Sequence, residues 1–389
     1  MKIVIYTHSF APQIGGVETV VFSLAQGFAR IPPTGVTSPP EINLVTPAPA
    51  REMDDTALAF RVVRQPTFVE LVRLLWAADI VHLAGPALLP LFLGWFMRKR
   101  IVVEHHGFQT VCPNGQLFYE PDQSPCPGHF MANRHLECLR CNVKWGRTTS
   151  FKMWLFTFPR RRLCEMISAN VTPTAWLSNV LQLPRTTRIP HGLPLAANSQ
   201  PSEDLVKPPT FIFLGRLVGT KGVEILIGAA HKLKQQGCIF RVKIIGDGPD
   251  REILQQKANI GGLSGCIEFL GYLPDGQVEQ ALAGAVAVVM PSLAGEVFGL
   301  VAAENMLRGR LVIASDIGAL REIVGEAGLL FPPGDEIALM HCMRQVLEDA
   351  SRAAALRQKA LERATVLFDE GVMVRQHLSL YARLASCEE

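Results

Sequence analysis

The sequence predicts an α/β protein with two doubly wound, Rossmann-like domains. Its 389 residues are enough for two such domains, and the apolar fraction of 48% supports two buried sheets. In the second half, the apolar segments TFIFL and VKIIG each lead into a glycine turn, which is followed by a segment with the apolar spacing of an amphipathic helix. Strands that alternate with helices in this way build parallel sheets, whose ligands bind at the carboxyl ends of the strands.

Breaks in composition indicate where the domains begin and end. We predict a first domain over residues 1–194 and a second over 205–371, because the stretch 195–209 is rich in Pro, Ser and Ala and suits a linker. The N-terminus, MKIVIYTHSF, is predicted as the first strand, since its apolar run is too short for a signal peptide. A helix is predicted after Gly16, followed by a mobile surface loop, IPPTGVTSPP.

The longest uncharged stretch covers residues 80–97. It contains His82, Pro86 and Pro90, which disfavour a membrane-spanning helix. We therefore expect a strand, a loop and a helix that are buried in the first domain.

Two glutamates, Glu296 and Glu304, lie eight residues apart where an apolar strand at 285–290 gives way to a predicted helix. A helix N-terminus offers unpaired N–H groups and a positive dipole end, which suit a diphosphate. One carboxylate would precede that terminus and the other would lie about a turn and a half inside the helix. This spacing suits a nucleotide sugar with hydroxyl groups on both sides of its diphosphate. A solvated helix face is the alternative explanation of the spacing alone.

Two cations are predicted at the same edge of the second sheet. Arg216 and Lys221 follow the strand TFIFL, so they would lie near the two glutamates. Together they could offset the charge on a departing diphosphate. The chain contains no Asp-x-Asp motif, so a divalent-metal route is not indicated.

Four of the nine cysteines cluster in an apparent insertion at about 107–150. They are Cys112, Cys126, Cys138 and Cys141, and the last two form a Cys-x-x-Cys pair. A structural zinc site is one interpretation, with His129 or His135 as substitute ligands; free thiols and a redox role are the others.

Residues 140–162 hold seven basic side chains and no acidic one, interleaved with Trp and Phe. This mixture fits an anionic membrane surface or a phosphorylated lipid acceptor, whereas a solvated helix with one buried aromatic face is the alternative. The net charge of +3 is too small to indicate nucleic acid as a partner.

In their order along the chain, these motifs resemble those of the retaining glycosyltransferases of family 4. The resemblance covers nearly the whole chain and is closer in the second half. It implies the GT-B architecture, with two Rossmann-like domains facing a central cleft and a last helix at about 372–389 packed back on the first domain. The residues that carry it are Gly15-Gly16-Val17-Glu18, Glu104-His105-His106-Gly107, Ile189-Pro190-His191-Gly192, Gly215-Arg216, Lys221-Gly222, Gly246-Asp247-Gly248-Pro249, Glu296 to Glu304, and Gly318 with Glu322.

The resemblance also implies roles for the matching residues. Arg216 and Lys221 correspond to the clamp on the leaving diphosphate. Glu304 corresponds to the residue that binds the ribose hydroxyls, and Glu296 to one that faces the donor sugar. His106 matches a histidine near the reacting sugar. The other implied donor-binding residues are Gly15, Gly16, Gly215, Gly246, Gly248, Phe298, Gly299 and Leu300.

Two positions in the first domain stay open. From the residues alone, either His105 or His106 could face the cleft, because consecutive side chains of a strand point in opposite directions. Glu104 departs from the family pattern, which often has Thr there, and the sequence gives no account of it.

The implied reaction is the transfer of a sugar from a UDP- or GDP-sugar to a glycan or polyprenyl-diphosphate-linked acceptor, with retention and by front-face substitution. No cofactor is expected to be required. The setting would be cell-envelope, lipopolysaccharide or exopolysaccharide assembly, in the cytoplasm or on the inner face of the membrane. A catalytically silent nucleotide-sugar-binding partner protein and a GT-B sugar-nucleotide epimerase are the alternatives.

Overall fold

The structure, a computed structural model, describes residues 1–13, 15–31, 39–50, 53–194 and 206–386. Most of the predicted loop IPPTGVTSPP and of the predicted linker lies outside these ranges. The chain divides into two compact units. The first comprises Met1–Asp122, Cys126–Pro194 and Leu367–Glu389, and the second comprises Gln123–Pro125 and Leu195–Val366.

The first unit contains a parallel seven-stranded sheet. Its strands are β1 (Lys2–Thr7), β2 (Glu41–Thr46), β3 (Arg61–Arg64), β4 (Ile80–Ala84), β5 (Arg100–Glu104), β8 (Ala169–Thr172) and β9 (Thr186–Arg188). Two strands of two residues each, β6 (Phe118–Tyr119) and β7 (Ser124–Pro125), follow β5 along the chain. The order of the large sheet is β3-β2-β1-β4-β5-β8-β9, and every neighbouring pair is parallel.

Helices cover this sheet. They are α1 (Gly16–Arg30), α2 (Phe68–Ala77), α3 (Leu88–Phe96), α4 (His135–Cys141), α5 (Arg147–Met166), α6 (Ala175–Leu181) and α14 (Glu370–Ser386). Threonine hydroxyl groups cap the N-termini of α2 and α6. Thr67 accepts a hydrogen bond from the N–H of Glu70, and Thr174 accepts one from the N–H of Leu177.

The last helix packs on α1. A Cβ atom added at Gly27 of α1 would lie 2.3 Å from a methyl group of Val374, so the two helices approach each other closely at this glycine. Phe28 and Tyr381 are fully buried, with ring centroids 5.5 Å apart. The predicted last helix at about 372–389 corresponds to α14, and residues 387–389 of that prediction lie outside the described ranges.

The second unit contains a parallel six-stranded sheet. Its strands are β10 (Thr210–Leu214), β11 (Arg241–Ile245), β12 (Ile267–Gly271), β13 (Ala287–Met290), β14 (Val312–Ser315) and β15 (Leu329–Phe331). The sheet order is β12-β11-β10-β13-β14-β15. Its helices are α7 (Val223–Gln235), α8 (Arg251–Ile260), α9 (Asp275–Leu282), α10 (Leu300–Leu307), α11 (Gly318–Val324), α12 (Glu336–Glu348) and α13 (Ala350–Leu367).

Both sheets reverse their strand order once. The reversal lies between β1 and β4 in the first unit and between β10 and β13 in the second. Such topological switch points open a crevice at the carboxyl ends of the strands, where doubly wound proteins bind ligands. The prediction of an α/β protein with two doubly wound, Rossmann-like sheets is confirmed.

The stretch 80–97 differs in part from its prediction. Strand β4 is wholly buried, as expected. Helix α3 has only nine residues and packs against α2 and α5, with Leu89, Phe92, Trp95 and Phe96 exposed. The expectation of a buried helix is therefore wrong for the outer face of α3. None of the helices in the described part of the chain combines the length and the apolar character that a membrane span needs.

Candidate functional site

Close approach of two backbone loops shapes the carboxyl edge of the second sheet. A Cβ atom at Gly246, which follows β11 with φ +127°, would lie 1.9 Å from the carbonyl oxygen of Gly215. One at Gly248 would lie 2.2 Å from the carbonyl oxygen of Leu217. Glycine at 246 and 248 therefore lets the loops after β10 and β11 touch through their main chains.

The predicted cation Lys221 meets the predicted glutamate Glu296. Lys221 ends a single 3-10 turn after β10, and its Nζ atom donates to Oε1 of Glu296 at 2.5 Å. The hydroxyl of Ser292 donates to the same oxygen at 2.9 Å. Gly222 keeps the two loops together, because a Cβ there would lie 2.0 Å from the carbonyl oxygen of Pro291. The ion pair thus joins the loops after β10 and β13, the two strands at the switch point.

Helix α10 begins beside this pair. Gly299, with φ +94°, precedes its first residue, Leu300, and a Cβ at Gly299 would lie 2.5 Å from Leu320. The Phe298 side chain is buried in the core. At this position, only the main chain is therefore accessible to a ligand. Glu304 is partly buried just over one turn into the helix. The first N–H groups of a helix lack acceptors within it and point out along its axis.

Arg216 stands apart from the other predicted residues of this edge. Its side chain is exposed and forms no ion pair within the described ranges. The structure therefore joins Lys221 to Glu296 but does not pair Arg216 with either glutamate.

In the first unit, Gly15 and Gly16 lie where β1 leads into α1. Gly15 has an extended backbone and precedes Gly16, the first residue of the helix. A Cβ at Gly15 would lie 2.4 Å from a carboxylate oxygen of Glu18, the end of a flexible side chain, so Gly15 is tight but not enclosed by main chain.

His105 and His106 differ in their surroundings. His105 is fully buried, and its Nε2 lies 2.9 Å from Oδ1 of Asn170. His106 is slightly exposed and stacks on His191, with ring centroids 5.0 Å apart and an interplanar angle of 22°. Burial lowers the pKa of His105 to about 4 and that of His106 to about 3, so both imidazoles are neutral near pH 7.

Glu104 is the residue that sequence reasoning missed. It is wholly buried, and its carboxylate oxygens lie 3.1 Å from Nε2 of His82 and 3.2 Å from Nδ1 of His191. The Nε2 atoms of His106 and His377 follow at 3.8 and 3.9 Å. Burial raises the pKa of Glu104, but its electrostatic interactions with the surrounding histidines, His106 first and then His191 and His82, outweigh burial and hold the pKa well below its usual value. The recurrent histidines of VHLAG, EHHG, IPHG and RQHLS were the available signal.

The four predicted cysteines also converge. Asn114 lies between two of them, accepting from Sγ of Cys112 at 3.0 Å and donating to Sγ of Cys141 at 3.7 Å. Burial and the neighbouring thiols Cys112, Cys126 and Cys141 raise the pKa of Cys138 to about 12.

The spacing of these sulfur atoms is wider than that of ligands around one ion. In the described ranges, the sets of three or more His, Cys, Asp or Glu ligand atoms that all lie within 4.8 Å of one another are both built on Glu104. Of the two substitute ligands, His129 lies 3.7 Å from Sγ of Cys126, whereas His135 packs among Phe130, Trp154 and Phe158. The cluster has zinc-binding donors without the spacing of a closed tetrahedral site.

Two solved structures share the fold of this chain over nearly its whole length. HepE of Anabaena, solved with UDP, has a TM-score of 0.73 and 19% identity, covering 98% of this chain and 100% of that one. Sucrose-phosphate synthase of Thermosynechococcus elongatus has a TM-score of 0.74 and 20% identity, covering 100% of both chains. The predicted GT-B fold is thereby confirmed.

Sequence similarity is concentrated in the second unit. The phosphatidyl-myo-inositol mannosyltransferase of Mycolicibacterium smegmatis is 33% identical over 175 residues, 44% of this chain and 44% of that one. The chain spans less than half the length of the curated relatives it matches. Residues 208–349, from β10 to α12, match the family model for glycosyl transferases group 1. This similarity to the glycosyl transferases group 1 family lies within the second unit of the chain.

Proposed function

We propose that this protein is a retaining glycosyltransferase of family 4, which moves a sugar from a nucleotide-diphosphate sugar to a hydroxyl of a glycan or lipid-linked acceptor. The observation that carries the proposal is the ion pair between Lys221 and Glu296 at the switch point of the second sheet, beside the start of α10. A cation, a carboxylate and helix N–H donors at one sheet edge suit a diphosphate flanked by sugar hydroxyls.

In the proposed reaction, the bond between the anomeric carbon and the diphosphate oxygen breaks while the acceptor oxygen bonds to the same face of that carbon. The acceptor hydroxyl gives its proton to the departing diphosphate oxygen, so atoms and charge balance. Lys221 stabilises the charge that builds on the diphosphate. The exposed guanidinium of Arg216 is available for a second phosphate oxygen. With these two cations, we infer that the transfer is metal-independent.

Three further residues complete the proposed donor site. We assign Glu304 to the ribose hydroxyls and Glu296 to the donor sugar. His106 is assigned to the reacting sugar, because it is the more exposed of the two neighbouring histidines. A neutral imidazole at this position acts as a hydrogen-bond partner for a sugar hydroxyl.

We propose a UDP- or GDP-sugar as donor. HepE, which shares the fold of this chain, was solved with UDP and with UDP-glucose. This similarity supports a nucleoside diphosphate sugar as the class of donor.

For the acceptor, we propose a glycan carried on a polyprenyl diphosphate, which would place the protein in cell-envelope or exopolysaccharide assembly. A cavity of about 530 Å³ in the first unit supports an acceptor with an apolar part. It lies between the cysteine-bearing segment and α6, and Val111, Leu117, Met131, Ala132 and Val180 line much of it. Apolar side chains around an open cavity suit a hydrocarbon chain.

We also propose that the first unit binds an anionic membrane surface from the cytoplasmic side. The helix of the basic segment, α5, exposes Phe151, Phe156 and Phe158, and the neighbouring α3 exposes Phe92 and Phe96. Exposed basic residues on or beside α3 and α5 include Arg98, Lys144, Arg147, Lys152 and Arg162. Exposed aromatic rings beside cations suit the headgroup region of an anionic bilayer.

The experiment that tests the proposed function is a donor screen. Thermal shifts with UDP, GDP and ADP sugars identify the base, and release of the matching nucleoside diphosphate with a glycan acceptor identifies transfer. We expect turnover, with the anomeric configuration of the product retained in its NMR coupling constants. Tight binding without release would favour the silent nucleotide-sugar-binding protein, and a changed sugar on an intact nucleotide would favour the epimerase.

The structural zinc ion at Cys112, Cys126, Cys138 and Cys141 stays a prediction. Thiolates are suitable zinc ligands, but the four sulfur atoms would have to move closer together to bind one ion. Zinc content measured by mass spectrometry, in the parent and in Cys138→Ser, tests it, since one zinc per chain should be lost in the variant.

A further inference from the structure

Five side chains form one buried cluster at the carboxyl end of β5. This Glu104 cluster consists of Glu104 with His82, His106, His191 and His377, all in the first unit. We propose that Glu104 is a positioning residue, which fixes the orientation and tautomer of His106 so that Nδ1 of its ring accepts a hydrogen bond from the donor sugar. This inference rests on the proposed function and names a device within that site.

The tautomer follows from what each ring nitrogen faces. Among the described residues, Nε2 of His106 is buried without a hydrogen-bond partner, and Oε2 of Glu104 lies 3.8 Å from it. A carboxylate attracts an N–H group and repels a lone pair, so Nε2 carries the proton. Nδ1 is then the acceptor. The separation is long for a hydrogen bond, as is common before a substrate tightens such contacts.

Two further contacts hold the carboxylate in place. His82 supplies Nε2 at 3.1 Å, while its Nδ1 lies 2.7 Å from the hydroxyl of Tyr381. His191 supplies Nδ1 at 3.2 Å to the other oxygen and stacks on the ring of His106. Glu104 therefore acts on His106 directly through its charge and indirectly through His191. Tyr381 extends the same chain of contacts into α14.

His377 is the member whose protonated nitrogen faces away from Glu104. Its Nδ1 lies 3.0 Å from the carbonyl oxygen of Met373, which can only accept, so Nδ1 carries the proton. The remaining nitrogen then turns a lone pair toward Oε2 of Glu104 at 3.9 Å. A cation between them would remove this conflict, and His82, Glu104 and His377 present ligand atoms within 4.8 Å of one another.

Direct contacts between Glu104 and the histidines are favoured over such a metal ion for two reasons. His82 already forms a continuous chain from Tyr381 to Glu104 at hydrogen-bond distances. Each set of candidate ligands contains only three residues and shares the same glutamate, whereas structural zinc takes four ligands. A bound metal is nevertheless an outcome that the experiment must detect.

The test compares Glu104→Gln with the parent by two measurements. Long-range proton–nitrogen NMR spectra of ¹⁵N-histidine protein report each tautomer, with His106 assigned by the signal lost in His106→Gln. We expect one Nε2–H tautomer for His106 in the parent and a mixture of tautomers in Glu104→Gln. With UDP-glucose as the probe, or the donor that the screen identifies, we expect kcat to fall about tenfold to a hundredfold. The Kd for the free nucleotide should stay within about twofold, because its proposed ligands lie in the second unit.

A matched control is Glu41→Gln, the same chemical change at an exposed ion pair on β2. It should leave both measurements unchanged. If Glu104→Gln does not fold, Tyr381→Phe tests the far end of the chain of contacts. His82 should keep its Nε2–H tautomer in that variant, because Nε2 faces the carboxylate of Glu104. Unchanged tautomers of His106 in Glu104→Gln, or loss of the Nε2–H tautomer of His82 in Tyr381→Phe, would each overturn the proposal.

Two further results would also overturn it. One is a metal ion present in the parent and lost in Glu104→Gln. The other is an equal loss of nucleotide affinity and kcat in that variant, which would show a general structural role. The NMR measurement needs no substrate. It therefore tests the positioning role of Glu104 even if the protein turns over no donor and the proposed function is wrong.

Discussion

The hydroxyl of Tyr381 and Nδ1 of His82 lie 2.7 Å apart although their positions differ by 299 residues. Both side chains are fully buried, one on the last helix and the other on β4. Because the other nitrogen of His82 lies 3.1 Å from Glu104, the last helix is linked by polar contacts to the end of β5, two residues before His106.

Lys221→Ala is expected to lower kcat for nucleoside diphosphate release about a hundredfold, because it removes a cation that stabilises the leaving group. Steady-state assays with the donor from the screen measure this. Lys257→Ala is the control, since it removes an exposed lysine paired with Glu224 on the same unit. Equal kcat in both variants would remove Lys221 from the proposed site.

Glu304→Ala is expected to weaken nucleotide binding about tenfold or more, through loss of charge-assisted hydrogen bonds to the ribose. Calorimetric titration with UDP or GDP measures the Kd. Glu252→Ala, an exposed glutamate in the first turn of α8, should bind as the parent does. Parent-like affinity of Glu304→Ala would contradict the ribose assignment.

Gly246→Ala is expected to lower the free energy of unfolding by about 2 kcal/mol or more, because its Cβ would enter the carbonyl group of Gly215 at a positive φ. Urea denaturation is the measurement. Gly265→Ala places its Cβ in open space and should cost much less. Similar unfolding midpoints for the two variants would mean that the loops after β10 and β11 lie farther apart.

Stability is expected to fall as the pH drops from about 6.5 toward 4. Burial lowers the pKa of His105 and His377 to about 4 and that of His106 to about 3, while the unfolded chain has ordinary histidines. In this window the unfolded state binds more protons than the folded state. Each of these histidines therefore removes up to about 1.4 kcal/mol per pH unit. Glu104 contributes only at lower pH, because its folded pKa lies well below 4.5.

Urea denaturation at pH 7 and pH 5 measures this dependence. His377→Gln should reduce the difference in unfolding free energy between pH 7 and pH 5, because it removes one buried imidazole whose pKa is lowered in the folded state. Equal unfolding free energies of the parent at the two pH values would show that these imidazoles are accessible to protons in the folded state.

Phe92→Ser combined with Phe96→Ser is expected to reduce binding to vesicles rich in anionic lipid by about tenfold or more, since each ring contributes apolar area to the bilayer interface. Co-sedimentation measures the bound fraction. Ile260→Ser, which removes an exposed apolar side chain of the second unit, is the matched control. An equal loss of vesicle binding in both variants would contradict a membrane-binding surface on α3 and α5. Equally strong binding of the parent to neutral vesicles would contradict it as well.

The fold was predictable because its signals are local. Apolar strands followed by glycine turns and helices indicate a doubly wound sheet without any knowledge of distant contacts. The same logic placed Lys221 beside Glu296, because they follow β10 and β13, which are neighbours at the switch point. It could not place the Arg216 side chain, because strand order does not determine the conformation of a long, exposed side chain.

The Glu104 cluster was not predictable because its members come from distant segments. His82, Glu104, His191 and His377 lie on β4, on β5, after β9 and on α14, and no periodicity relates them. The exposed face of α3 was missed for a different reason. An uncharged segment is typical of a core helix, but it is equally typical of a surface that another apolar phase covers.

The division of the chain has a consequence for its synthesis. The first unit draws on residues from both ends of the sequence, and the long segment Leu195–Val366 of the second unit lies between them. A ribosome would therefore release a foldable second unit before it has made the helix that seals β4. Until Tyr381 has been synthesised, His82 lacks the hydroxyl that lies 2.7 Å from its Nδ1 in the folded first unit.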